Sequence, residues 1–160
     1  MAEHLIGVIS DTHGLLRPEA VQALEGVELI IHAGDIGDPR ILRQLERLAP
    51  VHAVRGNTDR GAWAANLPHT RVVEVGGVHL YVLHELFTLD LDPAAAGISA
   101  VIFGHSHSPH LQRHNGVLFL NPGSAGPRRF TLPVTLVRIK LQGISLHPEL
   151  VELKVSLRRP

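Results

Sequence analysis

The sequence predicts an α/β chain (an α+β sandwich), a two-layer β sandwich flanked by helices, and three observations carry that prediction. Up to about Arg55, apolar strand-like runs alternate with amphipathic helical segments, as a layered parallel sheet requires. Beyond Asn57 the pattern becomes β-rich, with paired strand-like runs separated by hairpin dipeptides. The length, 160 residues, suits one substantial core and is short for two, so a single domain over residues 1–160 is expected.

Leu5 to Ile9 reads as the first buried strand, followed by a helix that starts at Arg17-Pro18-Glu19 and ends at Gly26. Leu29 to Ile31 is the second strand. Asp38 then caps a helix whose first residue is Pro39, with Ile41, Leu42, Leu45 and Leu48 on one face and Pro50 as its stop. Val51 to Val54 is the third strand. Arg71 to Val75 and Val78 to Leu83 flank Gly76-Gly77 as a hairpin, a short helix is expected from Asp92-Pro93 to Gly97, and Ala100 to Phe103 is another buried strand. His110 to His114 and Val117 to Leu120 flank Asn115-Gly116, and Pro133 to Leu141 pairs with Ile144 to Val155 around Gln142-Gly143.

Composition excludes several classes. Fifteen basic and fifteen acidic residues leave no formal net charge, so no overall basic field draws the chain to nucleic acid or an anionic membrane. The absence of cysteine excludes disulfides, thiolate metal sites and cysteine nucleophiles. No apolar run approaches the roughly 20 residues of a membrane span, and the chain enters a strand pattern directly after Met1-Ala2-Glu3-His4. The cytoplasm is the expected location.

Five polar clusters sit just past the apolar runs: Asp11-Thr12-His13, Gly34-Asp35, Gly56-Asn57-Thr58-Asp59, Leu83-His84 and Gly104-His105-Ser106-His107. Each has an ordinary explanation when taken singly. His13 reads as a loop histidine, Asn57 as a turn residue, and His84 as a hydrogen-bonded core histidine. Asp35 would cap a helix, were Asp38 not better placed to do so beside Pro39. Together they offer two carboxylates, four imidazoles and one amide at strand ends that converge on one rim. Such a donor set, without thiolate, suits two divalent ions with Asp35 between them.

In order and spacing these motifs resemble the calcineurin-like metallophosphoesterase superfamily. Val54-Arg55-Gly56-Asn57-Thr58-Asp59 and Leu120-Asn121-Pro122-Gly123-Ser124 are similar to its small bacterial and archaeal phosphodiesterase branch. The resemblance runs from about Leu5 to Val137 and implies a binuclear phosphodiesterase that cleaves small phosphoesters by attack of a metal-bridging hydroxide. It implies that Asp11, His13, Asp35 and His107 hold one metal and that Asp35, Asn57, His84 and His105 hold the other. Asp35, Asn57 and His84 are counted as catalytic. Manganese is the expected metal, with iron, nickel or zinc as alternatives.

Two positions depart from the family pattern. Thr58 stands where many larger members carry a histidine thought to protonate the leaving group, and Glu85 stands where much of the family has glycine. Good leaving groups are therefore expected to be favoured. Glu85 is expected to face solvent or to support a ligand. Arg128 and Arg129 are candidate phosphate contacts or else exposed arginines, Asp59 is either a brace for the Asn57 loop or a helix cap, and Asn121 to Ser124 is a structural turn. His4, His32, His52, His69, His79, His110, His114 and His147 are expected to be packing or surface residues. The expected partner is a small phosphoester, not nucleic acid or membrane, in a homodimer. The alternative is a non-catalytic interaction scaffold of the same fold, like the retromer subunit, in which some ligands are replaced.

Overall fold

Two five-stranded sheets pack face to face in the computed structural model, which describes residues 2–155. The chain runs β1 (Glu3–Ile9), α1 (Pro18–Ala23), β2 (Leu29–His32), α2 (Pro39–Glu46), β3 (Val51–Ala53), α3 (Ala62–Ala65), β4 (Thr70–Val75) and β5 (Val78–Leu83). A single 3-10 turn follows at Leu86–Thr88. Then come β6 (Ala100–Ile102), β7 (His110–His114), β8 (Val117–Asn121), β9 (Thr135–Gln142) and β10 (Ser145–Glu152).

The first sheet has the order β10-β9-β1-β2-β3 and the second β4-β5-β6-β8-β7. In the first, β1, β2 and β3 are parallel; in the second, β5, β6 and β8 are. Parallel neighbours send their C-terminal ends to the same edge, which is where the polar clusters sit. The antiparallel strands β9 and β10 extend the first sheet, while β4 and β7 flank the second.

Alternation along the strands builds three apolar layers. Ile6, Val8 and Ile31 of the first sheet meet Leu80, Val82, Ile102 and Leu120 of the second between the sheets. On the other side of the first sheet, Ile9 and Ile30 pack against Leu24, Ile41 and Leu45 of the helical segments. The outer face of the second sheet buries Tyr81, Leu83 and Val101 beneath Leu86, Leu89 and Leu91. That cover is irregular chain, and the helix expected from Asp92 to Gly97 is a succession of turns. One proline-led run so short cannot recover the cost of helix nucleation without a packed face.

The first two helices are shorter than expected, because their last turns unwind before Gly26 and Pro50. Asp38 caps α2 as its position suggests, accepting the Arg40 N–H at 2.9 Å. No described helix is long and apolar enough to cross a membrane.

Candidate functional site

Each polar cluster continues a strand into a sharp turn. Asp11 and His13 follow β1, Asp35 follows β2, Asn57 and Asp59 follow β3, His84 follows β5, and His105 and His107 follow β6. Asp11, His13, Asp35, His105 and His107 all have positive φ, between 44° and 75°. That backbone region is sparsely populated by residues other than glycine, and its clustering here marks turns held by their surroundings to aim side chains inward.

Two glycines let these turns meet. Gly34, at φ 102°, lies so close to the β5 end that a Cβ would stand 2.8 Å from His84 Nδ1. A Cβ on Gly56 would overlap both the backbone nitrogen and Oδ1 of Asp35.

The side chains gather into two groups, Asp11 with His13 and His107, and Asp35 with His84 and His105, each with ligand atoms within 4.8 Å of one another. The groups touch. Asp35 Oδ2 lies 3.2 Å from His84 Nε2 and 3.6 Å from His13 Nε2, while Asp11 Oδ1 lies 3.7 Å from His13 Nε2 and 3.5 Å from His107 Nε2. Asn57 Oδ1 is 3.3 Å from His105 Nδ1, which brings the seventh donor to the second group.

Hydrogen bonds fix which atoms face the centre. Asp11 Oδ2 accepts from Ser10 Oγ at 2.7 Å and from the His105 N–H at 3.1 Å, leaving Oδ1 free. Asp35 Oδ1 accepts the Thr58 N–H at 2.9 Å, leaving Oδ2. His84 Nδ1 donates to the Ala33 carbonyl at 2.7 Å, so in the neutral ring Nε2 carries the lone pair. Among the described residues, Asp11 Oδ1, His84 Nε2 and His107 Nδ1 are buried without a hydrogen-bond partner. Orphaned buried polar atoms are costly. A cation between the carboxylates and imidazoles would satisfy Asp11 Oδ1 and His84 Nε2, and oxygen and nitrogen donors fit a divalent metal.

Protonation follows the same geometry. Burial alone would raise Asp11 and Asp35, but His13, His84 and Ser10 at the one, and His84 with Thr58 at the other, hold both below the usual carboxylate range. The neighbouring Asp11 carboxylate, against burial, raises His13. At His84 burial is outweighed by Asp35 and Asp11, and the ring is raised too. Burial lowers His107, against the pull of Asp11.

The supports are equally specific. Asp59 is buried and accepts from the N–H groups of Gly56 at 2.9 Å and Gly37 at 3.0 Å, so of its two expected roles it takes the brace of the Asn57 loop. Asn121 Nδ2 donates to the Gly104 carbonyl at 3.0 Å, and Ser124 Oγ to the Asp11 carbonyl at 2.9 Å, so this turn supports the site from behind. Glu85 is half-buried and lines a cavity of about 260 Å3 with Arg55, Asn57, His69 and His84. Arg128 and Arg129 are exposed, and the charge of Arg129 is felt at His13 and His107.

His32 is the support that the sequence undervalues. It is fully buried, accepts the Gly34 N–H and pairs with Thr12, and burial pushes its pKa down to about 4. A histidine closing the apolar run Leu29-Ile30-Ile31 was the available signal, since a polar group there needs partners.

Known proteins resemble this chain in sequence and fold. The model of the calcineurin-like phosphoesterase superfamily domain matches residues 5–143. A probable metallophosphoesterase of Methanothermobacter thermautotrophicus is 38% identical over 162 residues, covering 92% of this chain and 91% of that protein. A phosphodiesterase of Methanocaldococcus jannaschii is 28% identical over 137 residues, covering 74% and 82%. The structure of Vacuolar Protein Sorting 29 from Cryptosporidium parvum superposes with a TM-score of 0.76 at 18% identity, over 94% of this chain and 98% of that one, a likeness of fold alone. With the family model spanning most of its length, the chain belongs to the calcineurin-like phosphoesterase superfamily and is a metal-dependent phosphoric ester hydrolase.

Proposed function

We propose that the chain, as one domain over residues 1–160, is a binuclear phosphodiesterase acting on small phosphoesters. Asp11, His13, Asp35 and His107 would hold one divalent ion, and Asp35, Asn57, His84 and His105 the other, with Asp35 shared. Manganese is the first choice. The observation that carries this reading is the pair of buried, unpartnered atoms Asp11 Oδ1 and His84 Nε2, facing each other at 3.9 Å. Two such ions supply an activated water as nucleophile and neutralise charge on the phosphoryl oxygens.

The chain's own residues set the conditions for that chemistry. Ser10 and the His105 N–H at Asp11, and the Thr58 N–H at Asp35, keep one oxygen of each carboxylate turned to the centre. The Ala33 carbonyl keeps the His84 proton on the far nitrogen. Two carboxylates leave a site with two divalent ions cationic, and Arg129 adds positive charge on the His13 side. Zero formal net charge favours a small substrate over a nucleic acid. The name of the archaeal phosphodiesterase relative supports a diester.

The test is a panel of phosphomonoesters and phosphodiesters, assayed on metal-stripped protein reloaded with one metal at a time. Metal-restored hydrolysis of small diesters is expected. Metal-loaded protein inactive across the panel would favour the scaffold alternative, which the likeness to Vacuolar Protein Sorting 29 fits but whose replaced ligands this sequence lacks.

A further inference from the structure

The turns after β1 and β2 must keep a fixed register, because Asp11 and His13 come from one and Asp35 from the other. Three backbone bonds join them: the N–H groups of Asp11, His13 and Gly14 donate to the carbonyls of Gly34, Asp35 and Ile36 at 3.0, 2.9 and 2.8 Å. Asp11, His13 and Asp35 nevertheless sit at positive φ, so those bonds hold conformations that the residues do not favour by themselves.

His32 adds a second, side-chain connection between the same turns. The Gly34 N–H donates to His32 Nδ1 at 3.1 Å, which places the ring proton on Nε2. Nε2–H donates to Thr12 Oγ1 at 3.0 Å, and Thr12 Oγ1 donates to the Ile36 carbonyl at 2.9 Å. Every proton in this chain has one place. Thr12 lies between Asp11 and His13, and Gly34 directly precedes Asp35, so each end of the imidazole grips a residue adjacent to a metal-ligand candidate. All of it is shielded, since His32 and Thr12 are both fully buried. An apolar side chain would fill the same space and leave the Gly34 amide and the Thr12 hydroxyl short of a partner.

We propose that His32 is a positioning residue for the metal centre, a buried Nε2–H imidazole that sets the register of the Asp11-Thr12-His13 turn against the Gly34-Asp35 turn. This rests on the reading of the site as a metal centre. The two ring nitrogens can be removed separately. Asn places an acceptor near the Nδ1 position and keeps the Gly34 bond, whereas Gln places a donor near Nε2 and keeps the Thr12 bond. Thr12→Val removes the hydroxyl at nearly constant volume.

The experiment is calorimetric titration of the metal-stripped full chain with Mn2+ at neutral pH. The proteins are wild type, His32→Leu, His32→Asn, His32→Gln, Thr12→Val and the double variant His32→Leu/Thr12→Val, with circular dichroism to confirm folding. Nitrogen-15 spectra of the wild-type imidazoles report the tautomer. His32→Leu is expected to fold and to bind Mn2+ roughly tenfold or more weakly, on the scale of losses when groups supporting metal ligands are removed. The Asn and Gln variants should recover part of the affinity, and the double variant should lose little beyond the weaker single one. Unchanged Mn2+ affinity in folded His32→Leu, or an Nδ1–H tautomer at His32, overturns the proposal while leaving the metal centre intact. If His32→Leu does not fold, unchanged affinity in both His32→Gln and Thr12→Val overturns it equally. Wild type that binds no Mn2+ instead overturns the metal reading, and this inference with it.

Discussion

His84 and Asp35 meet at 3.2 Å because one turn holds both of them. The Ala33 carbonyl accepts a hydrogen bond from His84 Nδ1–H at 2.7 Å, and Ala33 stands two residues before Asp35 in the turn that leaves β2. A strand of the second sheet thereby sets His84 Nε2 beside a carboxylate of the first, across the rim of the sandwich. Asp35 Oδ2 also lies 3.6 Å from His13 Nε2, so this oxygen stands between the two groups.

That position predicts unequal losses on substitution. Asp35→Ala should abolish binding of both ions, whereas Asn57→Ala, at the exposed edge of the second group, should weaken mainly one. Elemental analysis after dialysis against manganese distinguishes them: near two ions per chain for wild type, near one for Asn57→Ala and near none for Asp35→Ala. Equal loss in the two variants would contradict the shared role of Asp35.

Gly56→Ala tests how tightly the turns are packed. The added Cβ would overlap the backbone and carboxylate of Asp35, which the Thr58 N–H also restrains, so there is no flexible side-chain tip to yield. A loss of about 1–3 kcal/mol in the metal-free protein is expected, the usual scale for overpacking, together with weaker metal binding. Urea denaturation and metal titration report the two effects. A variant as stable as wild type would show that the Asn57 loop moves freely.

Much of this was legible in the sequence because strand ends and chemistry coincide: apolar runs stop where carboxylates and imidazoles begin. The Asp38-Pro39 cap and the hairpins at Gly76-Gly77 and Asn115-Gly116 were legible for local reasons, each set by the backbone preference of two residues. The parallel placement of β6 between β5 and β8 was not, because periodicity names a strand without naming its neighbours. Nor was the role of His32. Its partners lie two residues away at Gly34 and twenty away at Thr12, and only the fold brings that hydroxyl to the ring.

Burial of His32 gives the metal-free protein a pH-dependent stability of definite sign. An imidazole with an ordinary value near 6.5 in the unfolded chain and about 4 when folded binds fewer protons in the folded state. Its contribution is fully present above the unfolded value and is lost as pH falls from there toward the folded one, up to roughly 3 kcal/mol. His13 and His84 act in the opposite sense, since their raised values favour the folded state at low pH and that contribution fades as pH rises through them. Comparing wild type with His32→Leu isolates the one residue. In urea titrations of metal-free protein, the stability difference between the two should shift against wild type as pH falls from about 7 to 4.5. A difference independent of pH would mean that His32 is not held neutral by burial.

Thr58 sets the last expectation, the dependence of rate on the leaving group. Its backbone N–H is committed to Asp35 Oδ1 at 2.9 Å, its side chain is exposed, and an aliphatic hydroxyl is too weak an acid to protonate a departing alkoxide. Aryl phosphodiesters, whose leaving groups need little protonation, should therefore be cleaved well and alkyl diesters poorly, with a steep slope of log rate against leaving-group pKa. Thr58→His would put an imidazole on the same turn and should flatten that slope by helping the poor leaving groups most. Steady-state rates across a graded aryl and alkyl series, at fixed metal and pH, measure both slopes. A flat wild-type slope would show that another group supplies the proton, and the half-buried Glu85, lining the cavity beside His84, is the first residue to substitute in that event.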